Sequence, residues 1–229
     1  MDVDPPWRRF FATEQEAQVV GQIVDSFHRL YYQIGLAGLT WRQTFWHGVG
    51  VRKCPLDLWV YQEMLYELKP DLIVETGTAF GGSALYLAHM CDLLGKGEVV
   101  TVDVEEHDVR RPHARIEYVH GSSVDPAIVA RVAERVRGKS SVLVLLDSDH
   151  RAPHVLEELR AYAHFATVGS YCVVEDTNVN GHPLMDQHGP GPWEAIAQYL
   201  QETNDFMIDR EREKFLLTFS PWGYLRRLA

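Results

Sequence analysis

The amino-acid sequence predicts an α/β fold, a Rossmann-like seven-stranded sheet, mostly parallel, behind an N-terminal helical extension. Three observations carry that expectation. From Pro70 onward, short apolar runs alternate with segments of helical period, the pattern of βαβ units around a parallel sheet. Two of the runs, VLVLLDSDH (142–150) and YCVVEDTNVNGHP (171–183), stop abruptly on carboxylates, at the strand ends where ligands of open parallel sheets bind. A glycine-rich junction, VETGTAFGGSA (74–84), leads out of the first run, and such turns let a ligand approach the backbone and the next helix N-terminus.

The elements follow in order. Ala17, Val20, Ile23, Val24, Phe27, Leu30 and Tyr31 recur at helical spacing behind Thr13, and Thr13 with Glu16 fits a capping box. GLAGLTWRQTFWHGVGVRKCP (35–55) has glycines and aromatics without a period; it reads as an ordered loop, either a packing arm or a cover. Trp46, His47 and Lys53 in it are candidates for a lid over the cofactor. Pro55 opens a helix that Pro70 stops. Strands are expected at LIVET (72–76), EVVTVD (98–103), IEYVH (116–120), SVLVLLD (141–147) and SYCVVED (170–176), with helices from Gly81, after Pro126, after Pro153 and at Trp193. The tail DFMIDREREKFLLTFS (205–220) reads as a hairpin of two strand-like runs joined by a charged turn. Five parallel strands closed by an antiparallel pair is the layout of the class I methyltransferase fold. The expected division is an extension over 1–55 and that domain over 56–229.

Composition narrows the function classes. A net charge of −10 over 229 residues, with no long basic run, speaks against nucleic-acid binding. Cys54, Cys91 and Cys172 are odd in number and widely spaced, so neither a disulfide framework nor a zinc site is expected. The start MDVDPPWRRF lacks a secretory apolar core, and no apolar run approaches the roughly 18–20 residues of a membrane span. A cytoplasmic protein is expected, with a homodimer as its assembly.

Gly77, Gly81 and Gly82 do not make the dinucleotide spacing G-x-G-x-x-G. The acidic Glu75 ahead of them suits an amine-bearing cofactor better than a pyrophosphate. S-adenosyl-L-methionine carries an ammonium and a sulfonium, and Thr78, beside Gly77, belongs to the same cradle. Asp103 ends the second strand, placed for ribose hydroxyls; Ser122 or Ser123 would border the adenine, and Asp125 reads as a helix cap. Asp147, Glu175 and Asp176 end neighbouring strands and should converge, Asp147 also bordering the cofactor. Oxygen ligands without a nearby cysteine favour Mg2+; the other reading is that these acids cap the following helices.

VETGTAFGGSALYLA, LDSDHRAPHVLEELRAYA and GSYCVVEDTNVNGHP, with GPGPWEAI, resemble the cephalosporin hydroxylase-like family, which includes rhamnosyl and other sugar O-methyltransferases; the likeness spans roughly 38–220. Actinobacterial enzymes of methylmannose polysaccharide synthesis are similar members. The resemblance implies S-adenosylmethionine and a divalent metal as cofactors, with Asp147, Glu175 and Asp176 as metal ligands. It implies Glu75, Gly77, Ser83, Asp103 and Ser122 as cofactor contacts, and a mannoside- or rhamnoside-type hydroxyl as acceptor.

The expected reaction is attack of an alcohol on the sulfonium methyl, with Asp149 or His150 as general base. His154, one turn beyond His150, reads as a helix-surface histidine. The aperiodic stretch 178–193 is the expected acceptor loop, offering Asn178, His182, His188 and Trp193, the indole face suiting a sugar ring. Two other classes compete. A metal-dependent oxygenase needs an H-x-D/E pair, which none of the eleven histidines begins. A non-catalytic partner protein could keep the fold and an antibiotic-type metabolite could replace the sugar, since a fold alone does not fix function.

Overall fold

The structure is a computed structural model and describes residues 4–229. Helix α1 (Glu14–Leu36) starts at the expected capping box, with Thr13 and Glu16 each accepting from the other's backbone N–H. A two-stranded strap follows, β1 (Phe45–Trp46) and β2 (Val49–Gly50), then α2 (Pro55–Leu68). The remainder alternates: β3 (Leu72–Thr76), α3 (Gly82–Leu94), β4 (Glu98–Asp103), β5 (Ile116–His120), α4 (Pro126–Val136), β6 (Val142–Leu146), α5 (Ala152–Tyr162), β7 (Tyr171–Val174), α6 (Pro192–Glu202), β8 (Phe206–Ile208) and β9 (Tyr224–Arg227).

The large sheet runs β5-β4-β3-β6-β7-β9-β8, the first five strands parallel and β9 antiparallel to both its neighbours. The order reverses between β3 and β4 on one side and β6 on the other, so a crevice opens at their carboxyl ends. Strand side chains alternate between two cores. Val74, Val144 and Val100 face α4, α5 and α6, whereas Ile73, Leu145 and Val99 face α2 and α3. Burial on both faces explains why these strands read as continuous apolar runs.

One expectation fails here. The tail is no simple hairpin: β8 pairs with β9, while 215–220 is irregular. Leu217 and Phe219 instead bury with Cys54 beneath Tyr31, Tyr32 and Trp41, and Asp57 accepts from the Phe219 N–H at 2.8 Å. The apolar run that looked like a strand is therefore a floor for the N-terminal extension. Helix α1 forms, but its apolar stripe is not its core face: Ile23, Phe27 and Leu30 are each more than half exposed. Ala17, His28 and Gly35 are buried, and a Cβ on Gly35 would lie 1.9 Å from the Trp41 indole nitrogen. Among the described residues no helix is long and apolar enough to cross a membrane.

Candidate active site

A cavity of about 620 Å³ opens at the carboxyl ends of β3, β4, β5, β6 and β7. Its near wall is the turn after β3. Gly77 takes φ +85°, and a Cβ there would stand 1.8 Å from the Asp147 carbonyl oxygen, so only glycine lets this turn lie against the end of β6. Ala79 also sits at positive φ, 42°, a conformation that costs a non-glycine residue about 1–2 kcal/mol; its N–H donates to Asp103 Oδ2 at 2.7 Å. The strap closes over the following helix: a Cβ on Gly82 would meet the Gly50 carbonyl at 2.2 Å.

Most of the expected donor residues come together. Gly77, Thr78, Ser83, Asp103, Ser122 and Asp147 all line the cavity. Asp103 is held by the backbone N–H groups of Ala79 and Glu105 and by Arg110. Glu75 and Gly81 are not on the lining. Glu75 is fully buried, and its two oxygens accept from Ser83 Oγ at 2.5 Å and Thr101 Oγ1 at 2.6 Å; burial raises its pKa, against the pull of Lys53. It braces the cradle from below. Gly81 is the left-handed N-cap of α3, a structural requirement of the same turn.

The three expected carboxylates, Asp147, Glu175 and Asp176, gather at the ends of β6 and β7, each in contact with Lys53 or His150. Among the described residues, the group whose ligand atoms converge, within 4.8 Å, is Asp147, His150 and Asp176. His150 Nε2 lies 3.4 Å from Asp147 Oδ1 and 3.2 Å from Asp176 Oδ2, buried and without a geometrically formed hydrogen bond. Burial alone would lower the His150 pKa, but Asp176 and Asp147 carry it up to about 9. Asp176 reaches this point through a left-handed backbone, φ 51°, which aspartate tolerates better than most residues. Glu175 faces another partner. Lys53, 4% exposed, places Nζ 2.5 Å from Asp147 Oδ2 and 2.6 Å from Glu175 Oε1. Burial and the charge of Asp147 raise the pKa of Glu175, while that of Asp147 is lowered, Lys53 and His150 outweighing its burial.

Asp149 lines the cavity, yet its carboxylate is gripped by Arg151, whose hydrogen bond is the main cause holding its pKa down to about 2. His150, ion-paired with Asp147 and Asp176, and Asp149, ion-paired with Arg151, both stand at the cavity, each engaged with a neighbour of opposite charge. His154 is more than a surface histidine: half-buried, it lies 3.2 Å from Ser123 Oγ and 3.1 Å from Ser148 Oγ, beside the buried Glu158. It ties the β5 and β6 turns together.

Of the expected acceptor residues, none of Asn178, His182, His188 and Trp193 lines this cavity. Asn178 is fully buried, its amide donating to His28 Nε2 at 3.1 Å. His182 bonds Glu194 at 2.9 Å. Trp193 stacks on His182 and on Trp222, each centroid 4.2 Å away and nearly parallel; two such neighbours occupy both indole faces. His188 borders a separate shallow groove with Pro153 and Leu156. The lid expectation also shifts: Trp46 donates to His89 on α3, His47 packs on the same ring, and neither lines the cavity. The wall opposite the donor cradle comes instead from Tyr32 and Trp41, stacked at 5.3 Å, with Val51 and Arg52. These four residues went unnoticed because they lie in a helix end and an aperiodic stretch; the one available signal was the density of aromatics there.

Fold order, glycine cradle and acidic strand ends together define a class I S-adenosylmethionine-dependent methyltransferase. Among solved structures, an apo form of CmcI shares the fold at TM-score 0.64 and 22% identity, covering 82% of this chain and 77% of that one. A CmcI structure with Mg and S-adenosylmethionine gives 0.63, also at 22%, over 82% and 78%. The family model "Rhamnosyl O-methyltransferase/CmcI" matches residues 39–228. The rhamnosyl O-methyltransferase of Mycobacterium tuberculosis (strain H37Rv) is 41% identical over 214 residues, covering 90% of this chain and 85% of the relative; that of Mycobacterium leprae is 39% identical, covering 90% of each. The chain belongs to the rhamnosyl O-methyltransferase/CmcI family and is an O-methyltransferase, as its sequence motifs predict.

Proposed function

We propose that the chain transfers a methyl group from S-adenosylmethionine to a hydroxyl of a deoxyhexose or hexose in a saccharide, a rhamnoside- or mannoside-type acceptor, with Mg2+ as second cofactor. One observation carries this reading: a single cavity joins the glycine cradle, the acidic cluster and an aromatic wall. The mycobacterial relatives, named as rhamnosyl O-methyltransferases, support a sugar acceptor, and the Tyr32–Trp41 pair supplies the apolar face against which a pyranose packs.

The residues fit both cofactors. Asp103, fixed by two backbone donors, is oriented for ribose hydroxyls, and Ser122 borders the adenine end. Glu75 acts through Ser83, which does line the cavity. For a divalent cation, the hard carboxylate oxygens of Asp147 and Asp176, which converge with the His150 nitrogen they now pair with, are suitable; Glu175 reaches that point only by giving up Lys53. Bound there, such an ion lowers the pKa of an acceptor hydroxyl. In the transfer, the acceptor oxygen bonds to the methyl carbon as the carbon–sulfur bond breaks, and that electron pair leaves on sulfur to give S-adenosylhomocysteine. His150, whose pKa the two carboxylates carry up to about 9, would have to give up its proton as the cation settles beside it before it could take the hydroxyl proton. Holding oxygen, carbon and sulfur in line supplies much of the remaining acceleration.

Labelled S-adenosylmethionine offered with rhamnosides and mannosides, with and without chelator, tests the reading. Label is expected in a sugar methyl ether only when Mg2+ is available. Donor binding with no transfer to any sugar would defeat the assignment.

A further inference from the structure

Lys53, just after the strap, is buried against the acidic ends of β6 and β7. Its approach is built from several contacts. Gly50 lies on Gly82, Arg52 takes a left-handed turn (φ 58°) with its guanidinium 4.4 Å from the Phe80 ring centroid, and the Thr44 carbonyl accepts from the Val51 N–H at 2.9 Å. Lys53 is thereby drawn inward, ahead of Cys54 at the cap of α2. Its ammonium meets one oxygen of Asp147 and one of Glu175. Burial works against that charge, but Asp147, Glu175 and Glu75 outweigh it, so the amine stays protonated.

We propose that Lys53 is a positioning residue that sets the affinity of the acidic cluster for a divalent cation, by taking carboxylate oxygens and charge that the cation would otherwise use. This rests on the metal reading given above. Asp147 is the shared element: Oδ2 is on Lys53 while Oδ1 faces His150 and Asp176. A fixed positive charge on one oxygen weakens the other as a ligand, and in a poorly solvated site the repulsion between ammonium and cation is not screened away. Glu175 is held off by the same bond. The consequence is an affinity lower than the same carboxylates would give without the ammonium.

Binding of Mn2+, followed by its electron paramagnetic resonance signal and by calorimetry, tests this without any turnover. Lys53→Met is expected to tighten Mn2+ binding about tenfold or more, and Lys53→Arg to leave it within about threefold. Lys53→Gln is the companion variant, since its amide can still donate to a carboxylate and keeps the test open if the methionine variant misfolds; it should tighten binding too. A purely structural role predicts the reverse, weaker binding in both neutral variants, and that result, or unchanged affinity, overturns the proposal. If the wild-type chain binds no Mn2+ at millimolar concentration, the metal reading itself fails, an outcome distinct from failure of the Lys53 proposal.

Discussion

The donor half and the acceptor half of the cavity are built on different principles. The donor half stands on the turn from β3 to α3, the end of β4 and the turn from β5 to α4, with functional groups within a few residues of a strand end. The acceptor half is assembled from Tyr32 and Trp41, far away in the chain, laid over a floor of Leu217 and Phe219 from the opposite end. Backbone geometry fixes the first, and long-range side-chain packing fixes the second. On the proposed reading, chemistry that a whole class of enzymes shares sits on the sheet, and acceptor choice on the appended surface.

The largest expected effect breaks the point where both halves meet. Asp147→Ala should cut methyl transfer by a hundredfold or more, roughly the scale of removing a key electrostatic group, while S-adenosylmethionine still binds to a cradle made by other strands. Rapid transfer by this variant in titrations of free Mg2+ would deny Asp147 its role. Gly77→Ala strikes the donor half alone. The left-handed backbone costs about 1–2 kcal/mol, and overlap with the Asp147 carbonyl adds to it, so calorimetry should show donor affinity collapsing.

Stability should report the joint between α1 and the segment after β7. Burial, then Arg29, depress the His28 pKa to about 4, below its unfolded value near 6.5. The folded state therefore favours the neutral ring, and the unfolded state takes up the proton first. This contribution is complete above pH 6.5 and is lost as pH falls from about 6.5 to about 4, up to roughly 3 kcal/mol. Urea unfolding across that range should show the decline, and His28→Gln should flatten it. The smallest effect separates the two candidate sugar platforms: Tyr32→Ala should raise acceptor KM roughly tenfold at unchanged donor affinity, whereas Trp193→Leu should lower thermal stability and leave acceptor KM alone. The opposite pattern would return acceptor recognition to the 178–193 loop.

How far the sequence could be read follows the same division. β3 to β7 were legible because each is an apolar run closed by Gly, Pro or a carboxylate, and Thr13 with Glu16 announced α1. That Gly77, Asp103 and Ser122 would come to one cavity was legible because position relative to a strand end nearly determines what a residue faces. The packing of Trp193 was not legible, because composition shows an aromatic beside glycines and prolines but not the two rings that cover it. Phe219 was misread because an apolar alternation does not say whether a sheet or a helix lies above it. The positive charge that two buried acidic strand ends demand was foreseeable in kind; that part of it is Lys53, drawn in by a strap with no periodic pattern, was not. His150 between two carboxylates likewise depends on the left-handed turn at Asp176.

The central claim is that Asp147 and Asp176 present one point to a divalent cation beside the acceptor hydroxyl. Crystals grown with Mn2+ and S-adenosylhomocysteine test it most directly through anomalous scattering. A single strong peak in contact with Asp147 and Asp176, on the cavity side of His150, is the predicted result. A peak elsewhere, or full-strength methyl transfer by protein whose maps show no ion there, would contradict it.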